Sequence, residues 1–274
     1  MDDRKAVMID QKDMEIFHSF ISLDRQEQAA KDTPGDFFLR AGRYFLGTPY
    51  EEKTLDAPGS ERLIINLRAF DCFTLVENCC ALAIMIHAGK TRFDDFAATL
   101  QSIRYRDGVI AGYPSRLHYF TDWLHNNGKE KYLQDMTQTL GGRSFQKVLN
   151  FMTSHPELYP PLQNPAAYRQ MIAIERRLSG NLRHFLPKEE FIRWGGRIMA
   201  GDILAFTTDQ EDLDVCHVGI AVWLEGRLHF LHASQQAGQV VVSPETLIDY
   251  LHLSPHRTGI MAARLVLTTL KTKS

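Results

Sequence analysis

Long hydrophobic runs are missing from this chain, because its 274 residues contain no stretch of 18 consecutive apolar residues. A helix that crosses a membrane needs about 20 of them, so the sequence predicts no membrane span. An excess of positive charge is missing too, since 31 Lys and Arg residues face 33 Asp and Glu residues. The broad basic surface of a nucleic-acid-binding protein is therefore not expected, and we predict no nucleic-acid partner.

Cysteine is scarce and irregularly spaced. The chain has four cysteines, two of them adjacent at Cys79 and Cys80, and no Cys-x-x-Cys pair. This spacing argues against a disulfide framework, although a single bridge is left open, and it is unlike the usual zinc-ligand pattern.

The first residues, MDDRKAVMIDQKDMEIF, lack the apolar segment and the small-residue cleavage site of a signal peptide. Two compartments fit this observation. We expect the protein to work in the cytoplasm, or in the cell envelope if a signal peptide has been removed.

The composition is otherwise that of a globular protein, with 44% hydrophobic residues. Apolar residues recur at helical spacing early in the chain, at 10–46, 72–88 and 91–104. Short β-rich segments follow, at 201–206, 217–224, 227–234, 239–243 and 259–266. This order predicts a single α+β domain over residues 1–274, with N-terminal helices packed on one face of an antiparallel sheet.

The stretch RAFDCFTLVENCC contains the best candidate nucleophile. Asp71 precedes the apolar periodicity, so we expect it to be the N-cap of a helix whose first turn contains Cys72. Free N–H groups and the helix dipole at that position lower the pKa of a thiol. Cys79 and Cys80 lie two turns further along and are expected to be small core residues.

A candidate base comes from a predicted hairpin, HVGIAVWL-EG-RLHFLHAS, that turns at Glu225-Gly226. A two-residue turn pairs Gly219 with His232 and His217 with Ser234. His217 and His232 then share one face of the sheet, with roughly 7 Å between their backbones. A thiol, an imidazole base and a second group that orients the base make up an activated cysteine nucleophile.

A zinc site is the alternative for the same residues, with Cys72, Cys216, His217 and His232 as possible ligands. Adjacent residues in a strand point to opposite faces, so Cys216 and His217 do not easily bind one ion. We therefore predict no metal and no other cofactor.

Four segments in this order resemble those of the NlpC/P60 papain-like cysteine peptidases: FDCFTLVE, GDILAF, HVGIAVW and LHAS. The chain is more closely similar to one branch, the DUF1460 or N-acetylmuramoyl-L-alanine amidase-like family. That likeness spans about residues 38–268 and is carried by FLGTPY, TLVEN, SRLHYFTDWLHNN, FMTSHPELYPPL and GIMAARL.

The resemblance implies a papain-like fold and a cysteine amidase that acts on peptidoglycan fragments (muropeptides). It implies cleavage of the amide between N-acetylmuramic acid, expected in its 1,6-anhydro form, and L-Ala. Cys72 matches the nucleophile, His217 the general base and His232 the residue that orients the base. Tyr50 matches a tyrosine of the active site, and the backbone N–H of Cys72 would help to form an oxyanion hole.

One departure from the family pattern is the distance of 145 positions between Cys72 and His217. It implies a long, mainly helical insertion at approximately residues 105–190, which we predict to recognise the substrate. An Arg side chain can bind a carboxylate, and an aromatic ring can stack on a sugar face. The alternative is that these residues form an ordinary helix face with no role in binding. The candidate binding residues there are Arg116, His118, Tyr119, Asp122 and Trp123.

Other functions remain open at this point. An endopeptidase of the same fold would cut the stem peptide after D-Glu. A catalytically inactive module would only bind peptidoglycan, and an acyltransferase would use the same Cys-His pair.

Overall fold

A computed structural model describes residues 7–27 and 32–267 of the chain. Part of the predicted helical stretch 10–46 lies outside the described residues, at 28–31. Within the described ranges, no helix is long and apolar enough to cross a membrane.

The N-terminal half of the described chain is mainly helical, as its periodicity predicts. It contains α1 (Gln11–Glu27), α2 (Pro34–Tyr44), α3 (Cys72–His87), α4 (Phe93–Arg104) and α5 (Phe120–Lys129). Later helices are α6 (Phe151–Ser154), α7 (Pro165–Ser179), α8 (Phe191–Trp194) and α9 (Leu247–His252).

An antiparallel sheet follows, while β1 (Val7–Met8) and β2 (Leu63–Ile64) form a separate parallel pair. The strands of the main sheet are β3 (Leu133–Asp135), β4 (Arg143–Phe145), β5 (Arg183–Pro187), β6 (Ile203–Thr208), β7 (Val215–Leu224), β8 (Arg227–Ser234), β9 (Gln239–Val242) and β10 (Arg257–Leu265). Their order is β4-β5-β10-β6-β7-β8-β9, with β3 also paired to β10.

Alternate residues of the sheet face two different cores, because side chains alternate along a strand. One core contains side chains of α1 to α5 and sheet residues such as Val218, Ile220 and Leu231. The other contains Phe206 and Phe230 together with residues of α8 and α9. The sequence predicted helices on one face only; the structure corrects this, since short helices cover the second face as well.

The segment 105–190, predicted as a mainly helical insertion, contains strands as well as helices. It contains α5 to α7, but it also contributes β3, β4 and β5 to the main sheet. Within it, residues 143–155 form a strand at their beginning and one short helix near their end. Part of the segment surrounds a small core of its own, formed by Tyr113, Tyr119, Leu149, Met152, Leu162, Met171 and Leu178.

Candidate active site

Cys72 is the first residue of α3, and the predicted N-cap is confirmed. Asp71 Oδ1 accepts hydrogen bonds from the backbone N–H groups of Phe73, at 3.0 Å, and Thr74, at 2.7 Å. Thr74 Oγ1 in turn accepts from the backbone N–H of Asp71, which completes a capping box. The N–H of Cys72 is left directed at its own thiol, where it favours the thiolate.

The thiol of Cys72 lies against β7. The regular pairing of β7 with β8 ends at Ile220 and Leu231, and beyond that point the backbone N–H of Val218 is directed at the thiol. The nucleophile predicted from the sequence is thus placed beside the residue that follows His217.

Burial, together with the charge of Asp71, raises the pKa of the Cys72 thiol to about 12. The N–H groups of Val218 and Cys72 act in the opposite direction but do not compensate. The sequence predicted a lowered pKa from the helix start; the structure corrects this, because desolvation and the capping carboxylate outweigh the helix field. Cys72 is therefore a thiol at neutral pH, and it would need a base to act as a nucleophile.

The two histidines of the hairpin meet as predicted. Glu225 and Gly226 form the turn with φ of 49° and 75°, a left-handed pair that suits a two-residue hairpin. Nε2 of His217 lies 2.7 Å from Nδ1 of His232, which is a hydrogen bond between the two rings. The regular ladder stops at Ile220 and Leu231, short of the predicted pairs Gly219–His232 and His217–Ser234.

Gly219 makes room for this contact. A Cβ at position 219 would lie 2.9 Å from the carbonyl oxygen of Leu231 and 3.3 Å from Cβ of His232. Any larger residue would press on the backbone that carries His232. The absence of a side chain at Gly219 therefore permits the close approach of β7 to β8 at His232.

Both imidazoles are neutral at physiological pH. Burial lowers the pKa of His217 to about 3, with further contributions from His232 and Arg257. Burial also lowers the pKa of His232 to about 4, again with a contribution from Arg257. A neutral imidazole can accept a proton, which a base for Cys72 must do.

The ring contact fixes which nitrogen of His217 can act. For Nδ1 of His217 to accept a proton, its Nε2 must already carry one, and that N–H then donates to Nδ1 of His232. His232 must accordingly be protonated at Nε2. In this tautomer the hydrogen bond to His232 holds the ring of His217, and it would stabilise an imidazolium if His217 took up a proton.

A cleft of about 910 Å³ opens beside the histidine pair. In the described structure Cys72 makes no hydrogen bond to His217, and it does not line this cleft. The residues next to Cys72 in the sequence, Asp71, Phe73 and Thr74, line a second cavity of about 200 Å³. Cys72 lines neither cavity, but its neighbours in the sequence line the smaller one, and β7, which it contacts, contributes His217 to the wall of the larger one.

Tyr50 lies next to the start of α3. Its backbone forms a parallel bridge with Phe70, and its hydroxyl donates to Glu52 Oε1 at 3.3 Å. Burial raises the pKa of Tyr50, and the charge of Glu52 adds to this. The predicted active-site tyrosine is therefore a neutral hydroxyl beside the segment that leads into α3.

Arg116 and His118 line the smaller cavity beside Phe73. Arg116 lies 4.8 Å from the centre of the Tyr113 ring and is shared between Glu61, at 3.5 Å, and Asp56, at 3.7 Å. His118 Nε2 donates to the carbonyl oxygen of Tyr113 at 3.0 Å. Both predicted residues reach the cavity wall, but the charge of Arg116 is already paired.

Three other predicted binding residues are buried, which corrects the roles expected for them. Tyr119 donates to Glu175 at 2.7 Å and is 3% exposed. Asp122 is 1% exposed and accepts two hydrogen bonds from Arg106. Trp123 is 0% exposed and packs on Phe73 with 5.5 Å between ring centres, so its indole has no face free for a sugar.

The four cysteines are free thiols, and Cys79 and Cys80 are buried in the core as predicted. Cys216 is exposed, and its thiol donates to the carbonyl oxygen of Phe206 at 3.5 Å. Within residues 7–27 and 32–267, no three His, Cys, Asp or Glu side chains form a group that could hold a metal ion.

Two residues of the larger cleft were not foreseen from the sequence. Tyr250 of α9 lies with its ring 6.0 Å from that of His232, and Arg257 of β10 stacks on Tyr250. Neither residue could be placed from the sequence near it, because both come from elements that follow the hairpin. Arg257, for example, lies 25 positions after His232 and 40 after His217.

The chain matches the model of the AmiA-like family, described as N-acetylmuramoyl-L-alanine amidase-like, over residues 40–260. It is 40% identical to an N-acetylmuramoyl-L-alanine amidase from Bacteroides uniformis, with a TM-score of 0.80 over 85% of this chain and 99% of that one. A Bacteroides fragilis protein described provisionally as a xylanase is 42% identical, with a TM-score of 0.78 over 83% and 100% of the two chains. No curated protein matches the chain.

A Legionella pneumophila protein assigned to DUF1460 is 21% identical, with a TM-score of 0.71 over 93% of this chain and 95% of that one. At this identity the likeness concerns the fold alone.

The family match and the Bacteroides uniformis relatives define the class as a hydrolase of the amidase type. The chain belongs to the AmiA-like family of N-acetylmuramoyl-L-alanine amidase-like proteins.

Proposed function

We propose that this protein is a cysteine amidase of papain-like, NlpC/P60 architecture. It cleaves the amide between N-acetylmuramic acid, in its 1,6-anhydro form, and L-Ala in muropeptides. The observation that carries the proposal is the placement of a helix-start thiol, Cys72, beside the strand of the paired histidines. The Bacteroides uniformis structures of about 40% identity carry the name N-acetylmuramoyl-L-alanine amidase, which supports the choice of this amide.

In the proposed mechanism Cys72 Sγ attacks the lactyl carbonyl while Nδ1 of His217 takes the thiol proton. The resting thiol is neutral, so proton removal and attack occur together rather than from a stored thiolate. His217 then gives the proton to the departing amine of L-Ala, and its Nε2–H remains bonded to His232. Water, deprotonated by the same imidazole, hydrolyses the thioester.

The developing oxyanion needs donors close to Cys72. The N–H of Cys72 is available because the cap occupies only the amides of Phe73 and Thr74. We place the oxyanion at this N–H, with Tyr50 on the same side of the thiol.

The sugar side of the bond is assigned to the cavity of about 200 Å³ that Phe73 lines. This cavity shares Leu55, Asp56, Tyr113 and Arg116 with a larger one of about 680 Å³. Together they offer space for a bulky acyl group. With Trp123 buried, the half-buried Tyr159 and Phe73 are the aromatic residues of this wall that can cover a sugar face.

Product analysis tests the proposed function. Wild-type protein is incubated with 1,6-anhydro-N-acetylmuramoyl-tripeptide, and the products are identified by mass spectrometry. The proposal expects free tripeptide that begins with L-Ala and a sugar with a free lactyl carboxylate. A sugar that still carries L-Ala-D-Glu would indicate the endopeptidase instead, and release of sugars from xylan would support the name given to the Bacteroides fragilis relative.

A further inference from the structure

One cation in the cleft beside the histidines has no acidic partner. Arg257 lines the cleft of about 910 Å³ together with His217 and His232. In the part of the chain that the structure describes, no carboxylate forms an ion pair with Arg257, whereas Arg227 and Arg264 each have one. A half-buried guanidinium without an anionic partner can bind a negatively charged group of a ligand.

The guanidinium is held in place before any ligand arrives. Its Nη1 donates to the carbonyl oxygen of Tyr250 at 2.5 Å, and its carbon atom lies 3.7 Å from the centre of the Tyr250 ring. A guanidinium has five N–H donors, so the contact with Tyr250 leaves others for a ligand. A planar fork fixed in this way suits a carboxylate, which can accept two parallel hydrogen bonds.

Other charges around the cleft do not replace such a ligand. Asp209 is engaged with His256 at 3.1 Å, and Glu245 lies in the wall without an ion pair to Arg257. Gln235 and Gln236 add neutral polar groups that suit a peptide backbone. The cleft therefore combines one preorganised cation with hydrogen-bonding side chains.

The departing half of the substrate has to lie on this side of the thiol. His217 must give its proton to the amine of L-Ala, so that amine contacts the ring that borders the cleft. The next residue of the stem peptide is D-Glu, which continues through its γ-carboxyl and therefore keeps a free α-carboxylate. This anion is two residues from the bond that is cut.

We propose that Arg257, held by Tyr250, is the subsite for the free α-carboxylate of D-Glu in the stem peptide. The inference rests on the proposed function, because it assumes that the stem peptide is the leaving group. It makes Arg257 a determinant of specificity for acidic stems over those whose D-Glu is amidated.

Binding of the carboxylate would also act on the base. Burial is the main reason for the low pKa of His217 and His232, and the positive charge of Arg257 adds to it. A bound carboxylate neutralises that charge and makes His217 a stronger proton acceptor. An acidic stem thus promotes the proton transfer on which attack by Cys72 depends.

Two ligands that differ in one group test the subsite: the dipeptide L-Ala-D-Glu and its α-amide, L-Ala-D-isoglutamine. Their binding to wild type, Arg257→Gln, Arg257→Lys and the exposed control Arg227→Gln is measured by calorimetry. Wild type and Arg227→Gln are expected to bind L-Ala-D-Glu roughly ten- to hundred-fold more tightly than L-Ala-D-isoglutamine. Arg257→Gln should lose this preference, and Arg257→Lys should keep part of it. Binding does not require cleavage, so this result is independent of the proposed reaction.

Several results would overturn the inference. Wild type could bind both dipeptides equally, Arg257→Gln could keep the preference for the acid, or Arg257→Gln could lose both ligands to the same extent. The matching kinetic test uses 1,6-anhydro-N-acetylmuramoyl-L-Ala-D-Glu and its D-isoglutamine analogue. If wild type cleaves neither, the proposed function fails, while the binding result still decides the role of Arg257.

Discussion

Nε2 of His217 lies 2.7 Å from Nδ1 of His232, so the two rings share one proton between them. This contact leaves only Nδ1 of His217 free to take a proton from Cys72. In the proposed mechanism His232 is therefore a positioning residue, and its Nδ1 must be an acceptor.

His232→Ala is expected to lower kcat by on the order of 100-fold, because the base loses its orienting acceptor. His232→Asn keeps an oxygen near the position of Nδ1 and should restore much of the loss. Steady-state kinetics of the two variants on a muropeptide check this. Equal losses in both variants, with parallel losses of thermal stability, would show that His232 only supports the fold.

The reactivity of Cys72 toward iodoacetamide is expected to rise about tenfold per pH unit between pH 6 and 9, because burial raises the pKa of its thiol to about 12. Asp71→Asn should accelerate the reaction, since the charge of Asp71 also raises that pKa. Asn is as good a cap as Asp, so the melting temperature should change little. A rate that is already constant from about pH 5 upward would indicate a preformed thiolate-imidazolium pair.

Trp123→Ala is expected to cost about 3–5 kcal/mol of folding stability, since the indole is completely buried against Phe73 and Phe120. KM for muropeptides should stay near that of wild type in the folded fraction. Tyr159→Ala is the matched variant, with the opposite pattern of higher KM and little loss of stability. Urea denaturation and kinetics separate the two, and a large rise of KM in Trp123→Ala alone would restore its predicted role in binding.

Folding stability is expected to fall as the pH drops below about 6.5, the usual pKa of histidine in an unfolded chain. The folded-state pKa values of His118 and His217 are lowered to about 3, and that of His232 to about 4. Between these limits the unfolded chain binds more protons than the folded protein, so acid favours unfolding. Urea titrations at pH 7.5, 6 and 5 measure the slope, which should be shallower in His118→Gln. A flat profile would contradict the burial of neutral imidazoles.

Local patterns predicted much of the fold and of the reacting groups. The capping box at Asp71 and the Glu225-Gly226 turn are encoded within a few residues, so the start of α3 and the hairpin register followed from the sequence. β3 and β4 were missed because each is three residues long, too short for an alternating pattern.

The remaining features depend on distant contacts. Trp123 occupies the i, i+3 face of α5 with Phe120, and only the packing of α3 against that face shows that it is core. The pKa of Cys72 depends on how deeply α3 is buried, which the helix start alone does not reveal. Arg257 reaches the cleft through the pairing of β10 with β6.

The central claim is that Cys72 carries the muramoyl group as a thioester during turnover. It is tested by acid-quenching wild-type protein during the first turnovers of 1,6-anhydro-N-acetylmuramoyl-tripeptide and mapping adducts by peptide mass spectrometry. The account predicts an adduct on the peptide that contains Cys72, with the mass of the anhydromuramoyl acyl group and no amino acid attached. An adduct that includes L-Ala-D-Glu, an adduct on Cys216 instead, or turnover by Cys72→Ala would contradict it.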